Sequence, residues 1–319
     1  MRKALSVLAK ATVSGLLLYF ALRSVDIGTI IGRLSRLEWS WIILGLVLLF
    51  VQVIVLALRW ELLIQRCGFN LGFKHALRFT MIAGFFNQTL PSSVGGDAVR
   101  IWLVAKQSNW RAAAYSVLLD RVVGTVALAI LVVVCLPWTL ALVRNPIGRA
   151  ALLIIGLGCI AAGVVFVSLG WERLLILQRW SLTRHLAAAA TVALTILNSP
   201  RTLGAMFGLS VIVHLLTALI AWSAAQSINA DLPFLYSVFL VLPVVLLTVI
   251  PISIAGWGLR EGAMVAAFGY AGLPASDGLM VSLMFGASYL ILGAAGGLVW
   301  VLTTARGDRE VMSTAGIAD

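Results

Sequence analysis

From Trp39 to Leu58 the chain runs through twenty residues without a single charge, and charge-free runs recur from Val122 to Val143 and from Gly278 to Thr304. A helix of roughly 20 apolar residues crosses a ~30 Å hydrocarbon core with its backbone N–H and C=O groups bonded within itself. Transmembrane β-strands would instead alternate apolar and polar residues, so a barrel is excluded. With 61% of residues hydrophobic and only 11% charged, a soluble fold of 319 residues would leave much apolar surface uncovered. The chain therefore reads as an all-α polytopic membrane protein, a single integral domain over 1–319.

The formal net charge of +11 fits this class. Its basic residues cluster between apolar runs, where they hold loops in the cytoplasm and meet anionic headgroups; no nucleic-acid partner is implied. Cys67, Cys135 and Cys159 form no CxxC pair and read as free thiols. The start, MRK followed by apolar residues to Leu22, lacks an A-x-A-like cleavage site before Arg23 and reads as an uncleaved first span.

Further spans are expected at Trp39 to Leu58, Ala113 to Leu136, Ala150 to Leu169, Thr202 to Gln226 and Gly278 to Thr304. A basic connection runs from Arg59 to Arg78, and a loop from Pro137 to Arg149. Trp171 to His185 is basic, and the apolar run Leu186 to Leu197 is too short to cross. Two pairs of short arms remain: Phe79 to Leu90 with Asp97 to Trp110, and Leu232 to Ile250 with Leu259 to Tyr270. Reading each arm as a full crossing would require Asp97 to Trp110 to span, and it is too short and too polar, so each pair is read as a re-entrant hairpin. The sum is about six transmembrane helices and two hairpins. Placing Arg and Lys inside puts both termini in the cytoplasm of a cell inner (plasma) membrane.

The hairpin tips match. TLPSSVGGDAVR begins at Thr89 and VIPISIAGWGLR at Val249; Pro91, Ser93, Gly96 and Arg100 meet Pro251, Ser253, Gly256 and Arg260, at an offset of 160 (251 − 91). The same offset carries one set of spans onto the other, giving units of approximately 39–136 and 202–304. The span at 150–169 links them and inverts the second unit, an architecture recurrent in transporters.

Each tip carries the means to break a helix at membrane depth. Proline ends the incoming arm, glycine admits unusual backbone, and Ser93 or Asp97 is placed to cap the outgoing arm. Arg100 and Arg260 sit near outgoing-arm N-termini, where positive dipole ends and guanidinium groups suit an anion such as a lipid phosphate. The lipid-headgroup candidates are Arg100, Arg260, Ser93, Ser253, Gly96, Gly256 and Asn87. Two plainer readings stand beside this one: Arg100 or Arg260 snorkelling to the interface, and Asn87 with Gln88 serving only to satisfy backbone. Asp120 and Arg121 lie inside a span, where charges are costly and tend to be paired or functional. As helix neighbours they do not face each other, so each needs a partner elsewhere. Asp97, Asp120, Arg121 and Glu261 are candidates for proton coupling or charge pairing. His214, alone in a span, reads first as a hydrogen-bonded packing residue.

Four stretches carry a resemblance: Arg59-Trp60, Asn87 through Arg100 with LPSSVGGDAVR, Asp120-Arg121 within SVLLDRVVG, and IPISIAGWGLREG with Arg260-Glu261. Over roughly Leu5 to Thr304 the chain resembles the membrane domain of lysylphosphatidylglycerol synthase/flippase proteins, including the flippase half of the multiple peptide resistance factor and its stand-alone relatives. The resemblance implies movement of a polar lipid between leaflets; members are associated with aminoacylated phosphatidylglycerol, hopanoids and prenyl-linked sugars. Only Ala305 to Asp319 follows the last span, so a soluble aminoacyl-transfer domain is not expected here.

The leading expectation is a flippase, not an enzyme, with membrane lipids as partners and no cofactor or metal. No G-x-x-x-x-G-K-[ST] stretch is present for ATP, so an ion or lipid gradient would drive it. The alternatives are an accessory subunit working with lipid-biosynthesis enzymes, hopanoid or prenyl-lipid among them, and an intramembrane lipid-modifying enzyme.

Overall fold

The computed structural model describes residues 35–90, 95–106, 109–168, 199–250, 253 and 256–314, with isolated residues before 35. The expected first span, the basic segment at Trp171, the run Leu186 to Leu197, and Pro91, Ser93 and Pro251 lie outside the described residues. Every element within them is a helix: α1 (Trp39–Arg66), α2 (Phe73–Thr89), α3 (Gly95–Ala105), α4 (Trp110–Leu142), α5 (Pro146–Ser168), α6 (Pro200–Ser227), α7 (Phe234–Thr248), α8 (Leu259–Tyr270) and α9 (Ala275–Thr314). Among the described residues α1, α4, α6 and the Ala275–Thr303 part of α9 are long and apolar enough to cross a membrane. Exposed Trp39, Trp110 and Trp138 lie at or near helix ends, as interfacial tryptophans do.

Several expected boundaries move. Helix α1 does not stop at Leu58 but continues to Arg66, so Arg59 belongs to a helix interior rather than to a connecting loop. The physical reason is a partner: Arg59 is buried against a carboxylate of α4, which removes the cost that would have ended the span there. Helix α4 likewise runs through Pro137 to Leu142 instead of ending before it. One proline deletes one hydrogen bond, and packing on both sides carries the helix across the gap. The expected loop at Pro137 to Arg149 shrinks to the residues between Leu142 and Pro146, and α5 begins four residues before Ala150. Helix α2 starts at Phe73, taking in Lys74, His75 and Arg78, and α3 ends at Ala105 rather than reaching Trp110.

Two sets of four helices recur in the same order. The 160-residue offset carries α1, α2, α3 and α4 onto α6, α7, α8 and α9 to within a few residues at their starts. Neighbours recur too: α2 packs on α3 as α7 does on α8, α3 on α4 as α8 on α9, α1 on α4 as α6 on α9, and α2 meets α9 where α7 meets α4. Helices α1 and α6 face each other along the middle. The largest apolar cluster joins α1, α6, α7, α8 and α9 through Leu49, Ile220, Val241, Phe268, Met280 and Phe285. Where α9 crosses α2, Gly296 lies directly on the Met81 carbonyl and Gly297 on the Phe85 ring, an approach that no larger side chain allows.

Candidate functional site

A cavity of about 410 Å³ opens between the two helix sets, bordered by α1, α2, α3, α4, α6, α7, α8 and α9. Its lining mixes apolar Leu49, Val53, Leu128 and Leu292 with charged Arg59, Arg100, Asp120, Arg121 and Arg260.

The first helix set holds a continuous ionic network. Asp120, within α4, receives Arg59 Nε on Oδ1 at 2.9 Å and both terminal nitrogens of Arg100 on Oδ2 at 3.1 and 3.0 Å. Arg59 also donates to the Asp120 carbonyl at 3.3 Å and to Ser210 Oγ of α6 at 3.0 Å, tying three helices together. Arg100 stacks on the Trp60 ring at 3.9 Å, while its buried Nε finds no acceptor among the described residues. Arg121 takes a different partner, Asp97 of α3, at 2.6 Å. Asp97 also lies 3.7 Å from Arg100. The adjacent Asp120 and Arg121 thus each find their counter-charge on another helix. Burial separates the two pairs: the Arg59 and Asp120 side chains are both 5% exposed, whereas Arg121 is 53% exposed over a buried Asp97.

The second set is smaller. Arg260 and Glu261 pair with each other at 2.7 Å, and Ser282 Oγ bridges them at 3.0 Å on each side. Neighbouring residues meet here because they start α8: Glu261 folds back to accept the Gly258 N–H at 2.6 Å, capping the helix. Gly256 (φ +80°) and Gly258 (φ +83°) make the preceding turn, in backbone that favours glycine. Arg260 lies across Gly286 of α9, where a Cβ would collide with its guanidinium, and next to the rings of Trp257 and Phe285. Among the described residues Arg260 Nη1 has no acceptor, although the group as a whole is only 7% exposed.

Of the residues singled out from sequence, Asn87, Asp97, Arg100, Asp120, Arg121, Gly256 and Arg260 border the cavity. Glu261 stands behind Arg260, fully buried. Gly96 does not border the cavity. It packs against the Ala83 carbonyl of α2 and gives its N–H to Asn87 Oδ1 at 2.9 Å, so Asn87 does satisfy backbone at the break. Ser253 is buried and also off the cavity lining. His214 is hydrogen-bonded to the Gly124 carbonyl at 2.9 Å. The residue sequence reasoning missed is Arg59; the unpaired Asp120 was the available signal, since its partner had to come from another helix. Gln52 and Tyr289 were missed too. Tyr289 donates to Gln52 at 3.0 Å, and Gln52 donates to the Val213 carbonyl and Thr217, linking α1, α6 and α9 beside the cavity.

Together four arginines face three carboxylates, an excess of one positive charge within the helix bundle. Such an arrangement can hold an anionic oxygen group in a low-dielectric site, with apolar wall left for attached hydrocarbon.

Residues 7–297 match the family model described as the lysylphosphatidylglycerol synthase TM region. Among curated proteins, the chain is 23% identical over 171 residues to the UPF0104 membrane protein PH1989 of Pyrococcus horikoshii, covering 52% of this chain and 49% of that one. It is 29% identical over 93 residues to a UPF0104 membrane protein of Archaeoglobus fulgidus, covering 29% and 28%. The matched stretches thus span about half or less of those relatives.

Proposed function

Because the chain belongs to the lysylphosphatidylglycerol synthase transmembrane-region family, we propose that it moves a polar, phosphate-bearing lipid between leaflets without altering it chemically. The observation that carries this reading is the mixed lining of the central cavity, which holds arginines in excess over carboxylates together with leucines and valines. A headgroup phosphate meets Arg260 and the Arg100 edge, while the acyl chains stay against apolar residues.

In this reading α2–α3 and α7–α8 are re-entrant hairpins of an inverted repeat, entering the inner membrane from opposite faces, with both termini cytoplasmic. Helices of 17, 11, 15 and 12 residues extend about 26, 17, 23 and 18 Å, each short of a ~30 Å core. Glu261 and Asp120 hold the arginines in a fixed orientation, so the phosphate enters a formed site. Asp97 is the carboxylate most open to exchange, because its partner Arg121 is half in solvent.

The test is translocation of headgroup-labelled phosphatidylglycerol in proteoliposomes, read by a membrane-impermeant quencher. Native protein equilibrates the label across the bilayer, and Arg260→Gln slows it. No transfer of any phosphate-bearing lipid by folded native protein overturns the reading.

A further inference from the structure

A second cavity, of about 390 Å³, lies where the end of α1 meets the start of α6, lined by Leu62, Gln65, Arg66, Arg201, Thr202 and Met206 among others. Arg66 donates to Thr202 Oγ1 at 2.8 Å, and Thr202 lies 3.0 Å from Ser199 Oγ. Among the described residues neither Arg66 nor Arg201 has an acidic partner. Arg201 stands in the first turn of α6, where the helix dipole disfavours a cation, and that turn holds no acidic residue. Two guanidinium groups and a hydroxyl thus share one cavity with no counter-charge among the described residues.

The position of this cavity relative to the central one gives it meaning. Arg59 and Arg66 are seven residues apart on α1, hence on one face and about 10 Å apart. Thr202, Met206, Ser210 and His214 recur every fourth residue on α6. Arg66 meets Thr202 at the outer end, and Arg59 meets Ser210 at the inner end. Between these two polar rungs stands one small apolar cluster, Leu63, Leu119 and Met206. A polar stripe therefore runs along the α1–α6 seam from the outer cavity to the central one, interrupted once.

We infer that the Arg66–Arg201 cavity is a waiting site for a phosphate oxyanion, from which the group passes the Met206 plug into the central cavity; this rests on the transport reading above. The shared chemistry is a phosphate whose negative charge is not cancelled within its own headgroup, borne by an anionic lipid of the adjoining leaflet or by a free ion, and the zwitterionic headgroup of phosphatidylcholine does not supply it. Met206 suits a plug, because its unbranched, flexible side chain can swing aside without rebuilding the helix contact.

The experiment uses the full chain with its three cysteines replaced, carrying Ala205→Cys on the cavity wall, in vesicles of phosphatidylcholine. A parallel protein carries Thr248→Cys in the central cavity. Phosphatidylglycerol in the bilayer is expected to slow maleimide labelling at position 205 roughly tenfold, and Arg66→Gln with Arg201→Gln to abolish that protection. Both arginines are exposed, so these variants leave the fold intact. Protection by inorganic phosphate in phosphatidylcholine alone upholds the site and assigns the free ion as its source. Labelling at 205 that neither probe slows, or protection that survives loss of both arginines, overturns the inference. If position 248 is still protected in that case, the central reading stands; if neither position is protected, both fail.

Discussion

Replacing Asp120 by Asn removes one charge and little volume, yet it reaches two arginines. Asp120 is 3% exposed and holds Arg59 and Arg100, themselves 4% and 7% exposed. Without it the first helix set keeps three guanidinium groups against Asp97 alone, so its excess rises from one positive charge to two. Breaking a buried pair by removing one partner costs about 3–5 kcal/mol, because the charge left behind stays desolvated. The expected outcome is a loss of that size in stability, read as denaturant or thermal unfolding of the purified protein in mild detergent by tryptophan fluorescence. Adding Arg59→Met restores the original charge excess, so the double variant should recover about 1–3 kcal/mol of the loss, the coupling expected of residues in contact. An Asp120→Asn protein as stable as native, or strictly additive effects of the two changes, would refute the claim that this network is closed and buried.

Arg121→Gln should behave differently: its side chain is half exposed and screened, so the expected cost in the same unfolding assay is below about 1 kcal/mol. Gly286→Ala places a methyl group against the Arg260 guanidinium and the Trp257 ring, and should slow lipid translocation and lower the melting temperature modestly as the buried pair shifts. Gly296→Leu, by contrast, forces α9 off the Met81 carbonyl and should lower the melting temperature or abolish expression of folded protein. Cys67 lies beyond the end of α1, and burial pushes its thiol up to about 11 from 9.0. Its thiolate fraction near neutral pH is then about a hundredfold below that of an ordinary cysteine, so its maleimide labelling should be correspondingly slow and keep rising well above pH 9.

The sequence made the helical membrane class legible, because uncharged runs of span length admit few other solutions. The 160-residue offset read from the two tips also carries the starts of α1 to α4 to within a few residues of those of α6 to α9. What escaped was whatever depended on a distant partner. Arg59 looked like a boundary, since a lone arginine ends a span; only the fold shows Asp120 brought to it from another helix. Pro137 looked like a stop for the same reason, because local rules do not see the packing that carries α4 past it. Lys74, His75 and Arg78 made the start of α2 look like loop, although they sit on one short helix with Ala76 and Phe79 buried. At the site, Arg100 and Arg260 were visible as charges near matched breaks. Their different fates were not: Arg100 is locked by Asp120, whereas Arg260 is paired with its own neighbour at a helix start.

Gln88 and Thr248 are counterparts under the 160-residue offset, and both border the central cavity. Single cysteines at these two positions, in a chain otherwise free of cysteine, can be labelled from each face of sealed vesicles. The account predicts that position 88 reacts from the cytoplasmic face and position 248 from the opposite face, and that phosphatidylglycerol slows both. Fast and complete labelling of both from one face, indifferent to phosphatidylglycerol, would contradict it.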